Sequence, residues 1–400
     1  MADIAGSRAA ILRTLALATV LICTPAFCKG AAKDFYAIAR DADAARAADR
    51  VTEAIRLYRL GVDLRPSWQD GWWWLGSLYY EQDLFTQAAT ALKRFVALAP
   101  KPGPAYAFLG LSEYETHDYA RALNHCREWA LAGSPGTDDL IDVASFHWAL
   151  LLTKEGRFVQ ALGLLGVKAQ QRGASAALTE AMGLASLRIA SLPEDYPPQS
   201  REMVWLAGKA AFYAALKPHQ FDRAQDYADK LLLHYDGTTN VHYFRGTLFA
   251  IQMKPELARE EYEKELQISP RHAPAMMELA SSALQEGRRD QAVSLVRQAV
   301  SVEPESPVAH YILGQTLLAT GQYPESAKEL EIARNLAPNN PSLHYRLATA
   351  YRKLGRAKDA EEEMACYFKL KAAEKAIRDI LMPGEGLSEI LREPQPGPKP

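Results

Sequence analysis

Cysteine is scarce in this chain: four in 400 residues, none in a C-x-x-C spacing, which excludes a zinc ribbon and a dithiol redox motif. An excess of either charge is also missing. The formal net charge is −2 and no run of lysine or arginine stands out, so the electrostatic footprint of a nucleic-acid binder is absent. Beyond residue 28, no apolar stretch approaches the ~18 residues needed to cross a bilayer. Nor is there an H-E-x-x-H, a P-loop, a G-x-S-x-G or a zinc-finger spacing, so the short motifs of hydrolytic and nucleotide chemistry are not available.

The N-terminus is different in kind. Arg8 and Arg13 precede the apolar run TLALATVLIC, and TPAFCKGAAK follows it. A basic start, a short apolar run and small residues make a secretory signal peptide over 1–28, cut after Cys28 or near Ala32. The run is too short to span comfortably as an uncleaved anchor. Cys28 could instead carry a lipid, but Phe27 is bulky where lipobox patterns take a small residue. A periplasmic or secreted protein is expected. Of its remaining cysteines, Cys126 and Cys366 stand 240 residues apart on apolar helix faces, so two buried free thiols are expected.

Proline marks a period. Pro66 and Pro100 are 34 residues apart; Pro270, Pro304 and Pro338 repeat the interval, and 170 residues, five periods, separate Pro100 from Pro270. In that register, residues 69–102 carry Trp72, Leu75, Gly76, Tyr79, Ala88, Leu92, Phe95 and Pro100. Residues 103–136 keep Gly110 and Ala122; 239–272 keep Gly246, Ala258 and Tyr262; 273–306 keep Leu279, Ala280 and Ala292; 307–340 keep Leu313, Gly314 and Leu330; 341–374 keep Leu347, Ala348 and Ala360. A looser unit spans 142–171. Small residues at positions 8 and 20 let two helices approach, and a proline past the second helix stops it. This set resembles the tetratricopeptide repeat, a 34-residue helix–turn–helix. The resemblance implies an all-α solenoid in which each pair buries its apolar face on its neighbours.

The regularity fails in the middle. SLPEDYPPQS, 191–200, stands where a second helix is due, and its three prolines favour an extended loop. Helices resume at 201–216 and 221–235. The expected organisation is an N-terminal array, 34–171, an irregular connector, 172–237, and a C-terminal array, 238–371. A capping helix end, 372–382, precedes a proline-rich tail, 383–400, expected to be disordered.

GWWWLGSLYY, 71–80, sets three tryptophans side by side, ~100° apart on a helix. Trp72, Gly76 and Tyr79 form the core stripe; Trp73, Ser77 and Tyr80 form a second stripe turned away from it. In tetratricopeptide solenoids, position 5 of the first helix faces the concave groove. The resemblance thus makes Trp72 structural and Trp73 a candidate contact, and leaves Trp74 unassigned, a wedge against the preceding repeat being one place for it. Position 5 is also Phe146, Tyr243, Met277, Tyr311 and Tyr345, and position 12 adds Tyr80 and Tyr114. Large rigid aromatics with polar handles suit recognition surfaces; filling space between neighbouring first helices is the other use for them.

His242, His310 and His344 occupy position 4, each followed by tyrosine. Equivalent positions lie ~10 Å apart in a solenoid, too far to share one metal. They are expected to replace tryptophan in the core stripe, half-buried. EEE at 361–363 and REEYEKE at 259–265 read as solvated outer faces, with i,i+4 pairs such as Glu260–Lys264. Chaperone-binding members of the family clamp a peptide carboxylate with Lys at position 5 and Asn at position 9; no repeat here has either. The reading is an exported, non-catalytic scaffold or adaptor that binds a protein or peptide, without cofactor or metal. Two others stay open: an envelope export or assembly subunit that binds polysaccharide or peptidoglycan-linked partners, and the regulatory subunit of a separate enzyme.

Overall fold

The computed structural model describes residues 31–381. The signal peptide expected at 1–28 and the tail expected at 383–400 lie outside the described residues. Among those described, there are nineteen α-helices and no strand. The chain divides into two compact units between Glu155 and Gly156.

The first unit holds α1 (Ala31–Ala47), α2 (Val51–Leu64), α3 (Gln69–Glu81), α4 (Phe85–Leu98), α5 (Ala105–Glu115), α6 (Tyr119–Leu131) and α7 (Asp138–Lys154). α1/α2, α3/α4 and α5/α6 are hairpins. The second holds α8 (Phe158–Arg172), α9 (Ala176–Ser186), α10 (Arg201–Ala215), α11 (Phe221–Tyr235), α12 (Val241–Ile251), α13 (Pro255–Ile268), α14 (Ala273–Gln285), α15 (Arg289–Val302), α16 (Pro307–Ala319), α17 (Tyr323–Leu336), α18 (Pro341–Lys353) and the start of α19 (Ala357–Leu381). Here α12/α13, α14/α15 and α16/α17 are the regular hairpins.

Local signals set the helix ends. α2, α4, α13, α15 and α17 each stop two residues before the proline that marks the period. The turn inside each hairpin is fixed by one left-handed residue: Asp49, Asp83 and His117 in the first unit, then Met253, Gly287, Gly321 and Gly355 in the second. Both series keep the interval of 34. Small residues at position 8 then set how closely the two helices lie: a Cβ on Gly76 would come within 2.7 Å of the Leu92 side chain.

Position 4 makes a hydrogen bond that crosses the repeat boundary. The Trp72 indole N–H donates to the Pro66 carbonyl at 2.8 Å. His310 and His344 donate from Nε2 to the Pro304 and Pro338 carbonyls, each at 2.9 Å. Histidine therefore substitutes for tryptophan here because its Nε2–H serves the same orphan carbonyl past a helix end. The histidines are buried, not half-buried, while Trp72, expected in the core, is only half-buried. Its ring lies at the hairpin edge, where its N–H can reach that carbonyl.

Each of these histidines also meets a glutamate nineteen residues on, always at 2.6 Å from Nδ1: His242–Glu261, His310–Glu329 and His344–Glu363. Glu261, Glu265 and Glu363 are buried, which corrects their assignment to a solvated outer face. Lys264 pairs with Glu261 at 2.9 Å, not with Glu260. Glu265 accepts the backbone N–H groups of Asn240 and Tyr243 and so caps α12 from the helix behind it. The two thiols are free, with Cys126 buried; burial pushes it up to about 12. Cys366 is exposed, because α19 leaves that face uncovered.

Candidate functional site

The curvature of the C-terminal hairpins identifies their inner face. The first helices α14, α16 and α18 approach one another in succession, whereas no comparable approach joins successive second helices α13, α15 and α17. Rows that converge on one side and spread on the other curve toward the side of the first helices. α3, α5 and α7 show the same convergence in the N-terminal unit.

In the N-terminal unit, the aromatics of this face are used up in packing. Trp73 is half-buried, its ring 5.5 Å from Phe95 and 5.7 Å from Phe108. Tyr80 is buried at 5.1 Å from Phe108. Tyr114 is buried against His147 at 4.8 Å, and Phe146 is buried beside the same histidine. These four were expected to line an open groove. The rings of Trp73, Tyr80 and Tyr114 instead reach the next first helix, whose close approach covers them. Trp74 turns the other way, under the Arg46 guanidinium, 3.7 Å from its ring centre.

The C-terminal hairpins differ. Tyr345 is 37% exposed and Val308 55%. Met277 and Tyr311 are half-buried. Val308, Tyr311, Gln315 and Leu318 fall at i, i+3, i+7 and i+10, one stripe of α16 with no buried member. Tyr345 leans on Tyr367 of α19 at 5.4 Å. No further first helix follows among the described residues to cover it.

Tyr243, at position 5 of its repeat on α12, lies against the N-cap residue of α14. Its ring lies 5.0 Å from His272, and the Arg188 guanidinium stands 5.6 Å from its centre. Burial raises the Tyr243 hydroxyl well above its usual range. Burial likewise raises the Glu278 carboxyl, with Arg188 pulling the other way. Arg188 and Glu278 were missed by the position-5 rule: one is the left-handed residue after α9, the other stands at position 6.

The structural residues sit as the repeat requires. Leu75, Gly76, Ala88, Gly110, Gly246, Ala258 and Gly314 are buried at the helix crossings, while Tyr79 is half-buried. Pro100, Pro270, Pro304 and Pro338 follow their helix ends. Among the described residues, no three His, Cys, Asp or Glu side chains gather as a metal site would require, and no helix is long and apolar enough to cross a membrane.

The tetratricopeptide repeat family model matches residues 40–101, 74–138, 277–341 and 313–365. No curated protein matches the chain. Among solved structures, MamA 41-end from Desulfovibrio magneticus RS-1 is 17% identical, covering 43% of this chain and 97% of that one with a TM-score of 0.38. A further MamA crystal structure is 17% identical over 40% of this chain and 93% of its own, TM-score 0.36. MamA AMB-1 is 22% identical over 42% and 98%, TM-score 0.34. Four family-model matches, lying on hairpins whose turns recur every 34 residues, show tetratricopeptide repeats over residues 40–138 and 277–365 of this chain.

Proposed function

We propose that the protein is an exported, non-catalytic scaffold that holds a protein or peptide partner on the inner face of its C-terminal hairpins. One observation carries this reading: the inner face of α16 and α18 leaves Val308 and Tyr345 substantially exposed, whereas the N-terminal unit buries Tyr80, Tyr114 and Phe146 on its own inner face. An apolar and aromatic stripe with polar atoms at its edge is the composition of a protein-recognition core. Gln315 supplies a polar group on the stripe itself. Export is supported by the leader-like composition of 1–28.

Photo-crosslinking in the native envelope tests the reading. A photoreactive phenylalanine at 345 should give a discrete adduct, and one at Leu336, exposed on the second helix α17, should not. Adducts of equal yield from both places would remove the inner face as the binding surface. Retention of the protein in the cytoplasm with Met1 intact would remove export.

A further inference from the structure

The proline-rich segment 191–200 builds a cavity that the repeat itself does not contain. α9 has no second helix of the usual kind. α10 packs directly on it and also forms a hairpin with α11. The crossing is close enough to need glycine on both sides: a Cβ on Gly183 would meet the Val204 carbonyl at 1.9 Å, and one on Gly208 the Thr179 carbonyl at 1.9 Å. Leu192 and Tyr196 are buried and pin the extended segment beside this crossing. A cavity of about 340 Å³ results, lined by Ala176, Glu180, Tyr196, Arg201, Glu202 and Trp205.

Its walls have a definite chemistry. Trp205 is 41% exposed, on a helix whose other large apolar residues are mostly buried. The Tyr196 hydroxyl donates to Glu180 Oε1 at 2.5 Å, and the Tyr235 hydroxyl donates to Glu202 Oε2 at 3.2 Å. Each carboxylate is thus oriented through one oxygen, and its second oxygen remains to accept another donor. Two carboxylates and one guanidinium, Arg201, line the cavity, and the exposed Glu194 adds negative charge on the adjoining loop. The indole already attracts a cation: the Lys209 ammonium stands 4.6 Å from its ring centre and is not among the cavity's lining residues.

We propose that this cavity receives an arginine side chain of a protein partner, its guanidinium lying on the Trp205 indole and donating to Glu180 and Glu202. A planar cation suits it better than an ammonium, because a guanidinium stacks on an aromatic face while its edge donates to carboxylates. The negative balance of the walls disfavours an anion. The site rests on none of the inner-face residues of α16 and α18.

The test uses the full chain with nitrogen-15-labelled indoles, the Trp205 resonance being identified by its loss in Trp205→Phe. The probe is the peptide acetyl-Gly-Arg-Gly-amide. The Trp205 signal should move saturably. The citrulline counterpart, equal in shape but uncharged, should bind at least about tenfold more weakly, as should the arginine peptide to Glu202→Gln. Glu202 is exposed on the first turn of α10, so this variant keeps the fold, which circular dichroism checks. Tyr345→Ala should bind the probe as the wild type does. No saturable shift up to about 10 mM peptide, equal binding of the citrulline peptide, or a shift produced only by N-acetylglucosamine would each overturn the assignment.

Discussion

Acidification should weaken the C-terminal unit through His272. This histidine is 8% exposed and caps α14. Its Nδ1 accepts the Ala275 backbone N–H at 3.0 Å, and its Nε2–H donates to the Asn240 side-chain oxygen at 2.8 Å. The cap bond requires the neutral ring, since a proton on Nδ1 would turn the cap's acceptor into a donor. Burial, and then the positive charge of Arg188, push the imidazole down from 6.5 to about 4; Glu265 at 3.9 Å is the nearest carboxylate. A pKa lowered by folding contributes stability that is present above about 6.5 and lost as pH falls toward 4. Below the unfolded value, the unfolded chain takes up a proton that the folded one refuses. That lowering of the pKa corresponds to roughly 3 kcal/mol, most of which is gone by pH ~4.5. Urea unfolding at pH ~7 and ~4.5 measures the loss, and His272→Asn, which keeps a cap acceptor without a titrating group, removes this contribution. The other titrating groups are common to both proteins, so the wild type should lose about 2–3 kcal/mol more than the variant. Equal losses would refute the neutral-cap assignment.

Other outcomes follow from single sites. Met253 is 85% exposed at φ +59, while the matching turns carry Gly287, Gly321 and Gly355; Met253→Gly should raise stability by about 0.5–1 kcal/mol, the relief of left-handed strain less the entropy of glycine, seen as a higher urea midpoint. Gly183→Ala should lower stability by about 3 kcal/mol or more, because backbone and not a flexible side chain blocks the new methyl; a thermal melt within a degree of wild type would contradict the close crossing. Trp73→Ala should cost about 2–4 kcal/mol, since its ring packs on Phe95 and Phe108, and a melt unchanged from wild type would return Trp73 to an open groove.

The repeat was legible in the sequence because its signals are local. Pro66, Pro100, Pro270, Pro304 and Pro338 stop helices wherever they fall, and Gly76 and Gly314 mark close crossings regardless of what lies further off. The state of the inner face was less legible. Trp73 and Tyr345 hold the same position in their repeats, yet one is packed against the next hairpin's Phe108 and the other is not covered. That difference depends on the neighbour's side chains and on where the array stops, which position alone does not encode. The histidine–glutamate pairs were within reach: the interval of nineteen occurs three times, from 242 to 261, 310 to 329 and 344 to 363. A run such as EEE at 361–363 looks solvated by composition, but one of its members turns inward on every helix turn, and here it is Glu363. The cavity beside Tyr196 lies furthest from sequence reasoning, because Ala176, Tyr196 and Trp205 meet only once α10 has crossed α9.

The affinity of the crosslinked partner for paired variants tests the binding face most directly. Tyr345→Ala removes an exposed inner-face ring and should leave the thermal midpoint close to wild type, whereas Tyr311→Ala, which removes a ring half-buried against the core of α17 and α18, should lower it. An aromatic anchor carries about 2 kcal/mol or more, so the dissociation constant measured by calorimetry should rise roughly thirtyfold for at least one of them. Trp73→Ala, tested beside them, should melt earlier yet bind the partner with unchanged affinity per folded molecule. Unchanged affinity in both tyrosine variants, with the loss falling on Trp73→Ala instead, would contradict the assignment of the C-terminal inner face.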